Sequence, residues 1–377
     1  MKVNVCYGQS LNKKAFTLIE LLAVIVILAI IALIAVPIVL NIIKDSKEES
    51  NKRSIEMYAK ALKNSIAKYQ LDGKELGVSI LETTDGRNFS NVNDFKVDYD
   101  GNVACEVIEI YADGTMYLEK CEVNGELVKY TYGKKASFTD DSWATIAANV
   151  KAGYMYNVGD TREVSLQPTY INQEPNSGGL YTVRIANISS DDPICKNDNY
   201  SKTACGFVVE FVDIITTHKM NSTATNVGGY PASEMYNYIK NEIYNSLPKD
   251  LRDVIIDTKV VSSHGSTRGE TNFTSEDKLY LLSTKEVWGK TGTINVVTGD
   301  TAEDETRQLD YYKDVAKVTT SSYSRAKKIY KDNAIYWWLR SAGSTLTNYF
   351  YCVLSSGEPN INSAASSNGV SVAFRIG

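Results

Sequence analysis

From Leu21 to Leu40 the chain carries no charged residue, and nothing else in the sequence constrains its fold as strongly. At about 1.5 Å of rise per residue, such a run is long enough as a helix to cross a hydrocarbon core of roughly 30 Å. Glu20 stands alone at the edge of that run, where an acid without a partner is costly. After Asn41 the text becomes charged, yet Ile55, Tyr58, Ala59, Leu62, Ile66 and Tyr69 recur at helical spacing. The pattern predicts one helix over about 16–71, ended near Asp72-Gly73: a membrane-length half over about 16–40, then an amphipathic half.

The residues at the start of the apolar run, Lys13-Lys14-Ala15-Phe16-Thr17-Leu18-Ile19-Glu20, resemble a type IV prepilin signal. That resemblance implies a leader over 1–15, cut by a prepilin peptidase between Ala15 and Phe16, with methylation following. It also implies that Glu20 pairs with the terminal amine of another pilin subunit. Most prepilins have glycine before the cut, where this chain has Ala15. Pro37 falls where pilins commonly carry a helix-kinking proline. A secretory signal would be shorter and followed by a small-residue cleavage site, which is missing after Leu40. The expected location is the bacterial cell membrane, crossed once, and the cell surface or pilus.

Loss of the leader would remove three lysines and no acid, moving the formal charge from −5 to −8. An acidic chain of this kind argues against electrostatically driven nucleic-acid binding. Twenty-five tyrosines and only two histidines suit an extracellular contact surface. Cys105 with Cys121 and Cys195 with Cys205 are the candidate disulfides, four free thiols being the alternative; Cys352 is left over. No cofactor is expected. His218 and His264 lie in no metal-ligand spacing, and the acidic stretch Asp300–Glu305 lacks that of a calcium loop.

Between Val78 and Gly133 the pattern turns to strands: Val103–Tyr111, Met116–Val123 and Leu127–Tyr132. Asp113-Gly114 and Asn124-Gly125 separate them as hairpin turns. Residues 16–136 therefore read as a pilin-like domain, with Gly133–Ala136 as the boundary of a second domain over 137–377. In that domain Phe207–Ile215 reads as a strand, about Pro231 to Ser246 as a helix, and Trp337–Leu339 and Val370–Ile376 as buried strands. The expected class is α+β throughout.

Asp277–Ser283, Arg307–Tyr312, Trp337–Ser341 and Gly369–Ile376 resemble an uncharacterised bacterial family. Its C-terminal part is similar to the C-type-lectin-fold proteins diversified by retroelements. Family members often read Arg-Ser-Pro and Gly-Val-Arg-Pro-Ala where this chain has Ala342 and Ser371-Val372. Adenine rewriting of asparagine codons gives Ser, Thr, Ile, Tyr, Cys, Leu and Ala, close to the texture of the candidate variable region 344–368. By that resemblance Thr345, Leu346, Thr347, Asn348, Tyr349, Tyr351, Leu354, Ile361, Asn362 and Ser363 would face a protein or glycan ligand. A polar, turn-rich surface without a ligand is the plainer alternative. Glu358-Pro359-Asn360 matches a calcium-lectin tripeptide, but the Trp-Asn-Asp strand that should complete the site does not occur. The same fold hosts a formylglycine-forming oxidase, whose chemistry would require active-site cysteines. No other enzyme signature is present, so the chain reads as no enzyme. It reads instead as a minor or tip pilin-like adhesin, the alternative being a structural pseudopilin of a secretion system.

Overall fold

The structure is a computed structural model that describes residues 17–77, 79–154, 156–171, 174–176, 178–264, 271–289, 306–343 and 346–377. The acidic stretch 300–305 and the leader lie outside those residues. Helix α1 spans Leu18–Leu71 without a break, Pro37 included. Thr17 caps its start in a capping box with Glu20, each accepting the other's backbone N–H. The end is closed by Gly73 at φ 77°, with Lys74 N–H donating to the Tyr69 carbonyl and Gly73 N–H to that of Gln70. Those two bonds form a Schellman closure, which a residue with a Cβ resists. Every large apolar side chain from Leu18 to Ile43 is exposed, whereas Ile55, Tyr58 and Leu62 are fully buried. One helix therefore has a solvent-incompatible half and a half that packs in a protein core, and the first is long and apolar enough to cross a membrane.

By contacts the chain divides into two compact units, one of 1–74, 81–108 and 118–132, the other of 75–80, 109–117 and 133–377. Four strands, β1 (Ser79–Ile80), β2 (Val103–Ile110), β3 (Met116–Val123) and β4 (Glu126–Val128), follow one another in sheet order. Between β3 and β4 only Asn124 and Gly125 intervene, at φ 53° and 79°, the paired positive values of a tight hairpin turn. Cys105 and Cys121 are disulfide-bonded across β2 and β3. In the first unit Tyr58 meets Tyr99 edge-on at 5.5 Å, and the Ser65 hydroxyl accepts from Asp98 N–H at 3.1 Å.

From residue 133 onward the second unit begins with α2 (Trp143–Lys151), capped by Ser142, and then consists mainly of strands. These are β5 (Thr161–Leu166), β6 (Thr169–Ile171), β7 (Glu174–Asn176), β8 (Gly179–Asn187), β9 (Val208–Phe211) and β10 (Thr216–Lys219). After the helical stretch 230–246 come β11 (Ile255–Ile256), β12 (Thr258–Ser262), β13 (Phe273–Asp277), β14 (Lys328–Tyr330) and β15 (Asn333–Ile335). Last are β16 (Trp337–Ala342), β17 (Tyr349–Val353), β18 (Pro359–Ser363), β19 (Ser367–Val370) and β20 (Ala373–Ile376). One five-stranded sheet runs β11-β20-β9-β8-β5 and the other β10-β19-β16-β17-β18. The fold class is α+β, as the sequence pattern implied.

Strands β16 and β17 are buried on both faces. Trp338, Phe350 and Cys352 belong to one hydrophobic cluster, and Trp337, Leu339, Tyr351 and Val353 to another. Alternation of side chains across a strand produces this split, and it explains an uninterrupted apolar block where a surface strand would alternate with polar residues. Two expectations need correction. The strand expected over 207–215 stops at Phe211, because the chain turns there: Ile214 N–H donates to the Ile329 carbonyl at 3.0 Å, and the Asp213 side chain accepts Ile329 N–H at 2.9 Å. The helix expected over about 231–246 is interrupted: a 3₁₀ turn at Tyr230–Ala232, a new cap at Ser233, and a π-helical turn at Ile239–Ile243.

Arg340 of β16 is 1 % exposed and lies among these apolar residues. Its two terminal nitrogens each reach a Glu286 carboxylate oxygen at 2.6 Å, and it also donates to the Leu281 and Val261 carbonyls at 2.8 and 3.2 Å. Glu286 accepts further from Ser283 N–H and from the Thr203 and Thr306 hydroxyls. Burial alone would raise the Glu286 carboxyl, but Arg340 and these donors hold it below the usual carboxylate range. Its contribution is therefore complete above that range and is lost as pH falls through the depressed folded value. Arg340→Met leaves a buried unpaired carboxylate and should cost about 3–5 kcal/mol in denaturant unfolding. Adding Glu286→Leu should recover part of that loss and flatten the acid side of the stability profile.

Candidate functional site

Of the three residues that the prepilin resemblance assigns to processing and assembly, Glu20 lies within the described structure; Ala15 and Phe16 lie outside it. The Glu20 carboxylate accepts from Thr17 N–H and from the Thr17 hydroxyl, both at 2.9 Å. A negative group in the first helical turn faces the positive end of the helix dipole, so the acid is satisfied by its own helix. Its side chain is nonetheless exposed.

The ligand-facing residues inferred from resemblance gather around the β17–β18 hairpin, whose register pairs Tyr349 with Ser363, Phe350 with Asn362 and Tyr351 with Ile361. Leu346 and Thr347 are exposed; Asn348, Tyr349, Asn362 and Ser363 are half-buried. Thr345 lies outside the described residues. Tyr351 is a correction: at 1 % exposure it packs beside Trp337 and Leu339, on the inner side of a strand covered on both faces. Leu354 and Ile361 are half-buried and pack against the two clusters, so their apolar parts support the hairpin. Cys352 is buried as well, and burial pushes its thiol up to about 12.

A residue that sequence reasoning did not single out holds this face. Asn226, fully buried, donates through its side-chain amide to the carbonyls of Gly343, Leu346 and Tyr349 at 3.1, 2.8 and 2.9 Å. Its backbone N–H donates to the Thr347 carbonyl at 2.7 Å. Ala364 N–H reaches the Asn348 carbonyl, and Asn362 donates to Asn368 at 3.1 Å. The loop thus hangs from one asparagine and the hairpin behind it, a polar surface with a fixed backbone. An isolated asparagine in a Thr-Asn-Val context carries no periodic or motif signal, so only the long-range contact reveals it.

Among the described residues no group of His, Cys, Asp and Glu could hold a metal, and Glu358 is exposed on the turn before β18. Cys195 and Cys205 are joined to each other. His218 stacks on Tyr238 at 4.1 Å, and burial keeps it below its ordinary pKa. Several buried ions are paired with one another. Glu210 accepts from Arg184 and Lys328 at 2.9 Å each and from the Tyr312 hydroxyl at 3.0 Å. Those neighbours are structural, since every member is enclosed.

Residues 10–36 match a family model described as the prokaryotic N-terminal methylation motif. Residues 208–377 match one described as a domain of unknown function, DUF6273. No curated protein and no solved structure matches the chain. The N-terminus is type IV pilin-like. This pilin-like protein is thereby expected to be a substrate of prepilin peptidase, to associate with the membrane and to assemble with other pilins. The DUF6273 match includes β9 through β20, and with them Asn226, Arg340 and the whole candidate face. Asn226→Ala should cost about 1–3 kcal/mol, because three carbonyls lose one donor group at once. Hydrogen–deuterium exchange should then rise over 343–349 while β16 stays protected.

Proposed function

We propose that this protein is a minor or tip subunit of a type IV filament, whose C-terminal domain recognises an external protein or glycan. The observation that carries the reading is the combination of a prepilin N-terminus with a fixed, polar, weakly charged face at 346–349 and 362–363. A subunit that served only to build the shaft would have no use for a rigidly held loop of Leu, Thr, Asn and Tyr. On the resemblance of Trp337–Ser341 and Gly369–Ile376, the domain is a C-type-lectin-like fold, and the face corresponds to the side that retroelements diversify. The burial of Tyr351 and Cys352 narrows any diversified contact set to residues on the loop and on the edge strand β18. Many weak contacts, repeated along a filament or among cells, would gain avidity without tight single-site binding. The function is recognition, not catalysis.

Two variants separate assembly from recognition. Glu20→Ala should leave membrane insertion intact and lower incorporation into filaments, measured on sheared pili. The triple variant Leu346→Ser, Thr347→Ala and Asn362→Ala should leave filaments normal in number and reduce adherence of intact cells several-fold. Normal adherence with that variant, together with failure of antibody against 137–377 to reach intact cells, would favour a structural pseudopilin.

A further inference from the structure

A cavity of about 290 Å³ opens in the second unit and shares no residue with the candidate face. That volume is near the lower end of small-ligand pockets. One wall is helical, with Tyr236, Lys240 and Tyr244 at steps of four residues and Asn241 beside them. The opposite wall comes from the β11–β12 connection and from the end of β13, which bring Asp257, Glu276, Asp277 and Lys278, and Leu279 lies buried beneath. The π-helical turn at Ile239–Ile243 lies between Tyr236 and Tyr244.

Asp277 is the fixed point of this cavity. It is 4 % exposed, and its two oxygens are each held by one hydroxyl, Tyr236 OH and Ser275 Oγ, both at 2.8 Å. No basic side chain among the described residues forms an ion pair with it. Burial raises its carboxyl above the ordinary value, and each oxygen, with one hydroxyl donor, has the capacity for a second. Lys278 is committed to Asp257 at 3.3 Å and to the Ile255 carbonyl at 2.7 Å, and Lys240 lies 5.5 Å over the Tyr236 ring.

The lining therefore mixes acceptors (Asp257, Glu276, Asp277) with donors (Lys240, Lys278, Asn241) between two tyrosine rings. An anion would meet the carboxylates of Glu276 and Asp277, and a cation would meet Lys240 beside the Lys278–Asp257 pair. A ligand whose every polar group both donates and accepts, and which has an apolar C–H face for the tyrosines, has neither conflict. We propose that this cavity binds one neutral pyranose unit of a glycan, with Asp277 as the preorganised hydroxyl acceptor and Tyr236 and Tyr244 as lining residues that meet its C–H groups. The proposal is independent of the adhesin reading of the 346–363 face, because the two sites have no residue in common.

The test uses the full-length protein in detergent micelles, titrated with glucose, galactose, mannose, N-acetylglucosamine and N-acetylgalactosamine under saturation-transfer NMR. At least one of these should bind in the millimolar range. Tyr244→Ala and Asp277→Asn should each weaken it at least tenfold. Asn241→Ala, an exposed change that leaves the core intact, should weaken it measurably, and Thr347→Ala should not. Absence of binding by all five sugars would overturn the proposal. So would binding unchanged by both Tyr244→Ala and Asn241→Ala, or displacement by inorganic phosphate or methylammonium.

Discussion

The C-terminal domain depends on the way Arg340 is accommodated in β16. Its strand is covered on both faces, so a guanidinium there has no route to water and must be satisfied within the protein. Glu286 supplies the charge, and the Leu281 and Val261 carbonyls and Thr203 take further N–H groups. One side chain thereby joins the segment 281–283, strand β12, the turn at Thr203 and the short helix Thr284–Trp288. An apolar residue of similar size could fill the space, but it would leave those carbonyls unpaired. The ion pair is thus a device for fixing which segments meet as much as for adding stability. The same logic appears around Glu210, where Arg184, Lys328 and Tyr312 converge on one carboxylate.

A sheet behind a loop held by its backbone would suit the recognition proposed above. Because Asn226 grips carbonyls, the identities of the side chains at 346–349 are free to change without loosening the loop. That separation of scaffold from surface is what a variable contact face requires. Helix α1 shows a similar division along its own length: the exposed apolar half depends on a membrane or on other chains, and the Ile55–Ile66 half depends on its own unit.

What was legible in the sequence followed periodicity and local turn chemistry. The charge-free run, the Asp72-Gly73 stop and the Asn124-Gly125 hairpin are all local signals, and each appears in the structure where the residues put it. The break of the 231–246 helix was less visible, because Met235, Ile239 and Ile243 keep a helical step through the π turn and give no sign of the Ser233 cap. The candidate face was legible only in outline. Composition marked 344–368 as polar and small, but whether Tyr351 points in or out depends on register against β16 and on what covers that strand. Asn226 and the Tyr236–Asp277 contact join residues far apart in sequence, and no spacing rule anticipates either.

Processing as a prepilin would leave its mark at the mature N-terminus. Protein recovered from the membrane fraction of its own cells should be sequenced from the N-terminus and weighed intact. The chain should begin at Phe16 with a methylated amine and lack all fifteen preceding residues. A chain that retains Met1, or one cut beyond Leu40 so that the apolar helix is lost, would contradict such processing.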